Sequence, residues 1–231
     1  VLLEALRTEV LEANLEIVRR GLVLYTFGNA SGISREHGLI VIKPSGVPYE
    51  EMTAADLVVT DLDGRIVEGS LRPSSDLATH AALYRAFPSI GGVVHTHSRH
   101  ATAWAQACRE IPCFGTTHAD YFCSDVPVTA VLSPEEIAVD YELNTGKAII
   151  RIMEGRDPLG CPAALVAGHA PFCWGLTVAE AAHNAVIVEE LAAMAWQTLT
   201  INPSAEEISA TLRDKHYLRK HGPNATYGQT K

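Results

Sequence analysis

Apolar positions at the start of the chain (Leu2, Leu3, Leu6, Val10, Leu11, Leu15 and Val18) recur at mixed spacings of three and four. This predicts a helix over 2–20 with one face against a core and an end at Gly21. The period then shortens. Strand-like runs are predicted at 22–26 and 38–42, with a glycine-bracketed polar segment, Gly28 to Gly32, between them. The runs 57–61 and 66–68 flank Leu62-Asp63-Gly64, a hairpin signal that makes the early sheet at least partly antiparallel. Arg72-Pro73-Ser74-Ser75-Asp76 reads as a loop entering a helix that carries His80, Leu83, Tyr84 and Phe87.

A short apolar strand follows over 91–97, then a helix over 101–107 and a polar loop with an aromatic flank over 114–121. Ser133-Pro134-Glu135-Glu136 is a complete helix start, with a cap, a proline in the first turn and a glutamate at the third position. Strands are predicted at 147–152 and 163–166. Thr177 to Glu180 opens an alanine-rich helix to about residue 197, and Ser204 to Glu207 opens a last helix running toward Lys220 and stopped by Gly222. Strands and helices interleave without regular βαβ spacing and no composition shift marks a boundary. The expectation is one α/β domain over 1–231, with a mixed, largely antiparallel sheet and helices on both faces.

The chemistry that stands out lies at two strand ends. In Gly91-Gly92-Val93-Val94-His95-Thr96-His97, alternate side chains of an extended segment share a face, so His95 and His97 form a two-imidazole clamp. Such a pair suits a borderline metal such as zinc, which keeps an open position when it is catalytic. A third ligand must come from elsewhere, and His169, at the end of the apolar run 163–167, is the best distant candidate; a hydrogen-bonded turn histidine is the other reading of that residue.

Composition narrows the setting. A chain of 231 residues and 24.9 kDa suffices for one sizeable domain, and 47% hydrophobic residues exclude a largely disordered chain. The formal charge of -9 argues against a non-specific nucleic-acid surface, while leaving room for a small anion held by local donors. Five cysteines without a C-x-x-C pair fit a reducing compartment. No apolar run reaches the length of a membrane span, and Glu4 and Glu9 interrupt any secretory leader, so a soluble cytoplasmic protein without a membrane partner is expected.

Three loops carry donors for an anion: Asn29 an amide, Lys43 a cation, Ser45 and Gly46 a hydroxyl and a backbone N–H, and Ser74 and Ser75 two hydroxyls at a helix entry. A phosphate monoester needs this combination, although each loop taken alone is equally read as a glycine turn or a surface lysine.

Taken together and in order, Gly28-Asn29-Ala30-Ser31, Ile42-Lys43-Pro44-Ser45-Gly46-Val47, Pro73-Ser74-Ser75-Asp76, Val94-His95-Thr96-His97-Ser98, Thr116-Thr117-His118-Ala119-Asp120-Tyr121, Lys215 to Gly222 and Tyr227-Gly228-Gln229 resemble the bacterial L-ribulose-5-phosphate 4-epimerases. These belong to the class II sugar-phosphate aldolase and epimerase superfamily, and the resemblance covers almost the whole chain. It implies one Zn²⁺ per subunit on His95, His97 and His169, with Asp76 as an additional or alternative ligand and Mn²⁺ or Co²⁺ as substitutes. It also implies a phosphate pocket at Asn29, Lys43, Ser45, Gly46, Ser74 and Ser75, an acid/base pair in Asp120 and Tyr227, and a supporting His216.

The implied reaction interconverts L-ribulose 5-phosphate and D-xylulose 5-phosphate by retro-aldol cleavage, aldehyde rotation and re-addition. Arabinose or ascorbate-like sugar breakdown would lie upstream. A homotetramer with active sites at subunit interfaces is implied as well. One departure is visible: where family members often have His-Ser-His-Gly-Pro, this chain has Ala167-Gly168-His169-Ala170-Pro171, which should alter the surroundings of the third ligand without removing it. Two alternatives stand beside this reading: a class II aldolase acting on a ketose 1-phosphate such as L-fuculose 1-phosphate, and a non-catalytic metal-stabilised binding module. The aldolase has a Glu where this chain has Asp76. The module would need a closed four-ligand metal site, for which no cysteine lies beside these histidines.

Overall fold

Gly32, Gly92 and Gly175 lie side by side on three neighbouring strands, and the way one helix presses onto this row sets the architecture. In a computed structural model that describes residues 2–223 and 225–226, the strands are β1 (Asn29–Ser34), β2 (Leu39–Ile42), β3 (Val58–Asp61), β4 (Ile66–Glu68), β5 (Gly92–His95), β6 (Ala163–Leu165) and β7 (Pro171–Gly175). They form one sheet in the order β4-β3-β2-β1-β5-β7-β6, with every paired neighbour antiparallel. The seven strands therefore pair in antiparallel fashion throughout, and an isolated parallel bridge from Val128 to Leu165 at the β6 edge is the departure among the described residues.

Helices cover both faces. Helix α1 (Glu4–Arg19) and helix α6 (Val178–Ile201) pack on one: a Cβ on Gly32 would meet Val178, Leu6 and Val10, and one on Gly92 would meet the α6 backbone at Val178. Only glycine lets a helix axis come this close to a strand. Asn14, buried in α1, fixes the docking by bonding both backbone groups of Ala30, Nδ2 donating to the carbonyl at 3.2 Å and Oδ1 accepting from the amide at 2.9 Å. On the other face lies α2 (Leu77–Ala86), covered in turn by α5 (Pro134–Ile152), whose Gly146 admits Ala82 and Thr79. Helix α3 (Arg99–Gln106) packs on α6, the single turn α4 (Thr116–Ala119) on α7 (Ala210–His221).

Several local expectations are corrected. Residues 22–26 are not a strand; Leu24 and Tyr25 are exposed, Tyr25 has φ 53°, and pairing starts only at Asn29, so the glycine-bracketed segment is itself β1. The run 147–152 completes α5, its isoleucines serving helix packing, with Ile149 fully buried. That helix bends at Asp140, whose backbone leaves the helical region (φ -159°, ψ 81°). The 114–121 loop contains α4. The last helix starts at Ala210 with Ser209 as its cap, Oγ accepting from the Leu212 amide, and not at Ser204. The capping box at Ser133 forms in full. Among the described residues, no helix is long and apolar enough to cross a membrane.

Candidate functional site

His95 ends β5, His97 follows two residues later, and His169 sits in the connection between β6 and β7. Because β5 pairs with β7 (His95 opposite Phe172), that connection is brought over the end of β5. The three ring centroids are mutually 4.9 Å apart, and one nitrogen of each ring lies within 4.8 Å of the others. His97 Nε2 and His169 Nε2 are 3.3 Å apart. Two nitrogens about 2.1 Å from a tetrahedral zinc would be separated by about 3.4 Å, so the pair fits such an ion.

The outward nitrogens of His95 and His169 are tied down. His95 Nδ1–H donates to the Pro171 carbonyl at 3.0 Å, leaving Nε2 with its lone pair, and His169 Nδ1 is 3.1 Å from the Tyr141 hydroxyl. Phe172 stacks on His95 with centroids 4.2 Å apart. Burial pushes the His95 imidazolium down to about 4 and lowers those of His97 and His169 as well, which favours the neutral, metal-binding form. Burial falls from His95 through His169 to the exposed His97, so the triad opens toward solvent on one side. Among the described residues no carboxylate or thiol joins this group as a fourth member, an arrangement of a site with an open position.

The anion donors converge on the same place. The chain at Lys43–Ser45 runs antiparallel to Arg72–Ser74: the Ser45 amide donates to the Arg72 carbonyl at 2.9 Å and the Ser74 amide to the Lys43 carbonyl at 2.9 Å. Gly46, at φ 70°, lies exposed in the turn that follows. Gly28, at φ 84°, lies so close to the His95 carbonyl that a Cβ there would collide with it, which seats Asn29 opposite His95 in the β1–β5 pairing. A cavity of about 390 Å³ is lined by Asn29, Lys43, Ser45, Gly46, Ser74 and Ser75 and equally by Asp76 and the three histidines.

Lys43 differs from a freely presented cation. It is buried, its Nζ donates to the carbonyls of Pro44 (3.2 Å) and Val47 (3.1 Å), and it lies 4.7 Å from the Tyr49 ring centroid. Burial brings its pKa down to about 8. Asp76 is bound by the Asn29 amide at 2.6 Å. Its burial works to raise the carboxyl, but His95, His80 and the Asn29 bond together hold it below the ordinary carboxylate range.

Asp120 does not line this cavity. It closes α4 and accepts from His216 Nδ1 (3.0 Å) and from Arg219 Nε and Nη2 (3.1 and 2.8 Å), with Lys220 Nζ at 3.7 Å. The burial of Asp120 works to raise its carboxyl, but the hydrogen bonds from Arg219 and His216 and the charges of Lys220 and Arg219 hold it below the ordinary carboxylate range. His216 is thus gathered with Asp120 and not with the metal triad, and Tyr227 lies outside the described residues. Tyr141, Pro171 and Phe172, which orient the imidazoles, were not signalled by spacing: Tyr141 arrives through the bend at Asp140, and Pro171 acts through its carbonyl.

Residues 8–196 match the family described as Class II Aldolase and Adducin N-terminal domain. Among solved structures, an L-fuculose 1-phosphate aldolase is 26% identical with a TM-score of 0.78, over 92% of this chain and 94% of that one. YgbL of Klebsiella pneumoniae, described as a candidate aldolase/epimerase/decarboxylase, is 26% identical with a TM-score of 0.72, over 91% and 97%. The L-fuculose-1-phosphate aldolase of Thermus thermophilus is 25% identical with a TM-score of 0.68, over 87% and 98%. The match over most of the chain, on a fold shared with these structures, means that the protein belongs to the class II aldolase and adducin N-terminal domain family.

Proposed function

We propose that the protein is a zinc-dependent L-ribulose-5-phosphate 4-epimerase, interconverting that substrate with D-xylulose 5-phosphate. The observation that carries the reading is the single cavity that joins three imidazoles to the Asn29, Ser45, Gly46, Ser74 and Ser75 donors. A phosphorylated ketose fits this layout, with its carbonyl end at the histidines and its phosphate among the amides and hydroxyls. The acid at position 76 favours the epimerase, being Asp where the related aldolases have Glu.

His95, His97 and His169 would hold the metal, which supplies Lewis-acid polarisation of the ketose oxygens when bound, with Mn²⁺ or Co²⁺ as substitutes. Asn29, Ser45, Gly46, Ser74 and Ser75 bind the phosphate, and Lys43, whose ammonium holds the 44–47 loop through the Pro44 and Val47 carbonyls, adds positive charge behind it. A base takes the C4 hydroxyl proton and the C3–C4 bond breaks. The aldehyde, retained by its phosphate, turns over, and the bond re-forms on its opposite face while an acid returns the proton. Asp120 and Tyr227 are assigned as the two proton carriers. Since Asp120 does not line its own chain's cavity, a homotetramer in which they serve a neighbour's site is part of the proposal, with His216 holding Asp120 in place.

The test is incubation of zinc-loaded protein with L-ribulose 5-phosphate. Accumulation of D-xylulose 5-phosphate supports the reading, and net release of dihydroxyacetone and glycolaldehyde phosphate refutes it. Likeness to the L-fuculose 1-phosphate aldolase gives a second reading some support, and cleavage of that ketose 1-phosphate in the same assay would favour it.

A further inference from the structure

Of the three imidazoles, His97 has the weakest hold. His95 Nδ1 is bonded to the Pro171 carbonyl and His169 Nδ1 to the Tyr141 hydroxyl, whereas among the described residues no group bonds His97 Nδ1. Its exposed ring touches Phe27, with centroids 6.2 Å apart, and Phe27 is exposed as well. Where His97 stands is therefore decided by its backbone. That backbone is a corner between the end of β5 and the first turn of α3, flanked by Thr96 and Ser98, both buried. Pairing with β1 and β7 fixes the β5 side.

The α3 side is fixed from another helix. The first amides of a helix have no partner within it, and a side-chain oxygen at the cap commonly takes one of them. Ser98, in the cap position of α3, takes none. Glu189 of α6 does so instead: Oε1 accepts from the His100 amide at 2.9 Å and from His100 Nδ1–H at 2.8 Å, and Oε2 accepts from the Ala101 amide at 2.9 Å. Burial works to raise the Glu189 carboxyl, but the bonds from the Ala101 and His100 amides hold it below the ordinary carboxylate range. The negative charge that suits a helix N-terminus is thus kept. The turn held in this way begins at Ser98, whose carbonyl accepts from the Thr102 amide at 2.9 Å, so a shift of the turn moves the residue next to His97.

We propose that Glu189 is the positioning residue of His97: by capping α3 from α6, its carboxylate sets the 96–98 corner and so presents to the metal an imidazole whose outward nitrogen nothing else orients. The inference rests on the three-imidazole metal site of the proposed function.

Zinc affinity of the whole protein, measured by chelator competition well below the unfolding temperature, tests it. Glu189→Ala should bind zinc about tenfold more weakly, and Glu189→Gln, whose carbonyl oxygen can still accept from the two amides, should recover part of the loss. Trp104→Phe is the control for stability alone. It removes another bond between the same two helices, from Trp104 Nε1–H to the Ala192 carbonyl at 3.0 Å, away from the first turn of α3. This variant should unfold at a lower temperature with zinc affinity unchanged. In metal-free protein, deuterium uptake over 97–102 should be faster in Glu189→Ala than in Trp104→Phe, and equal uptake would count against the capping role.

Wild-type zinc affinity in Glu189→Ala overturns the positioning of His97, and so does an equal loss of affinity in Trp104→Phe, which would make the effect one of general stability. Should the alanine variant not fold, Glu189→Asp decides, since it keeps the charge but retracts it by one methylene: several-fold weaker zinc binding supports the role, and wild-type affinity overturns it. Zinc binding that His97→Asn leaves unweakened overturns the metal site itself, and the positioning role with it.

Discussion

The Tyr141 hydroxyl lies 3.1 Å from His169 Nδ1, so a residue just past the bend in α5 steadies an imidazole carried by the β6–β7 connection. Partners of this kind fix ring orientation and typically carry about 10- to 100-fold in metal affinity or activity. Tyr141→Phe should therefore weaken zinc binding by about tenfold in chelator competition while leaving the fold and thermal unfolding nearly unchanged. Unaltered affinity would place the hydroxyl outside the metal's support.

Replacing a proposed ligand should do more. His97→Asn substitutes a weaker amide donor for one of three imidazoles, so zinc content after dialysis should drop and turnover should nearly vanish. His97 is exposed, so little core packing is disturbed and the unfolding temperature of the metal-free form should hardly move. Full zinc content with normal turnover would remove His97 from the ligand set.

Lys43 gives a pH signature. Its burial sets a pKa near about 8, so the ammonium is present below that pH and is lost as pH rises through it. If that charge assists phosphate capture, kcat/KM should fall above about pH 8, and Lys43→Met should be low at all pH values and lack this limb. A wild-type pH profile in Lys43→Met would show that the limb belongs to another group.

Subunit mixing tests where Asp120 acts. Asp120→Asn and Tyr227→Phe should each lose about 10² to 10⁴ in turnover with zinc retained. If each site combines one subunit's histidines with a neighbour's Asp120, inactive His97→Asn and inactive Asp120→Asn tetramers, dissociated and reassembled together, should recover about a quarter of the wild-type rate. No recovery from mixed tetramers confirmed by mass would place Asp120 in its own chain's site or in none.

Gly92→Ala should destabilise strongly, because its Cβ would strike the α6 backbone at Val178. A loss of about 3 kcal/mol in denaturant unfolding, or failure to fold, is expected. Wild-type stability would contradict the close helix–sheet approach.

Much of this was legible in the chain. The His95/His97 pair and the distant His169 were readable because each follows an apolar run, where strand alternation fixes direction, and the Asn29, Ser45 and Ser74 loops because they carry amide and hydroxyl donors beside turn residues. The capped start of α5 was readable for the same local reason. What was hidden depends on tertiary contact. Ile149 and Ile150 carry strand-like β-branching, yet packing against α2 decides for helix. Asp120 was named through the resemblance as one of an acid/base pair, but its surroundings were hidden, because its partners His216 and Arg219 lie some 100 residues later in the chain. The hold of Glu189 on α3 crosses from one helix to another and has no spacing to betray it.

The glycine row under α6 has a consequence for exchange kinetics. Helix and strands that interlock at backbone distance cannot part locally, so the amides of β1, β5 and β7 should open only with the whole molecule and exchange with solvent slowest of all. His95 ends one of these strands, and the segment carrying His169 leads directly into another. The entropy of gathering these two imidazoles is therefore lost during folding and not again on metal uptake. Metal uptake should accordingly slow deuterium exchange along all three strands by one common factor, through the stability it adds to the whole molecule.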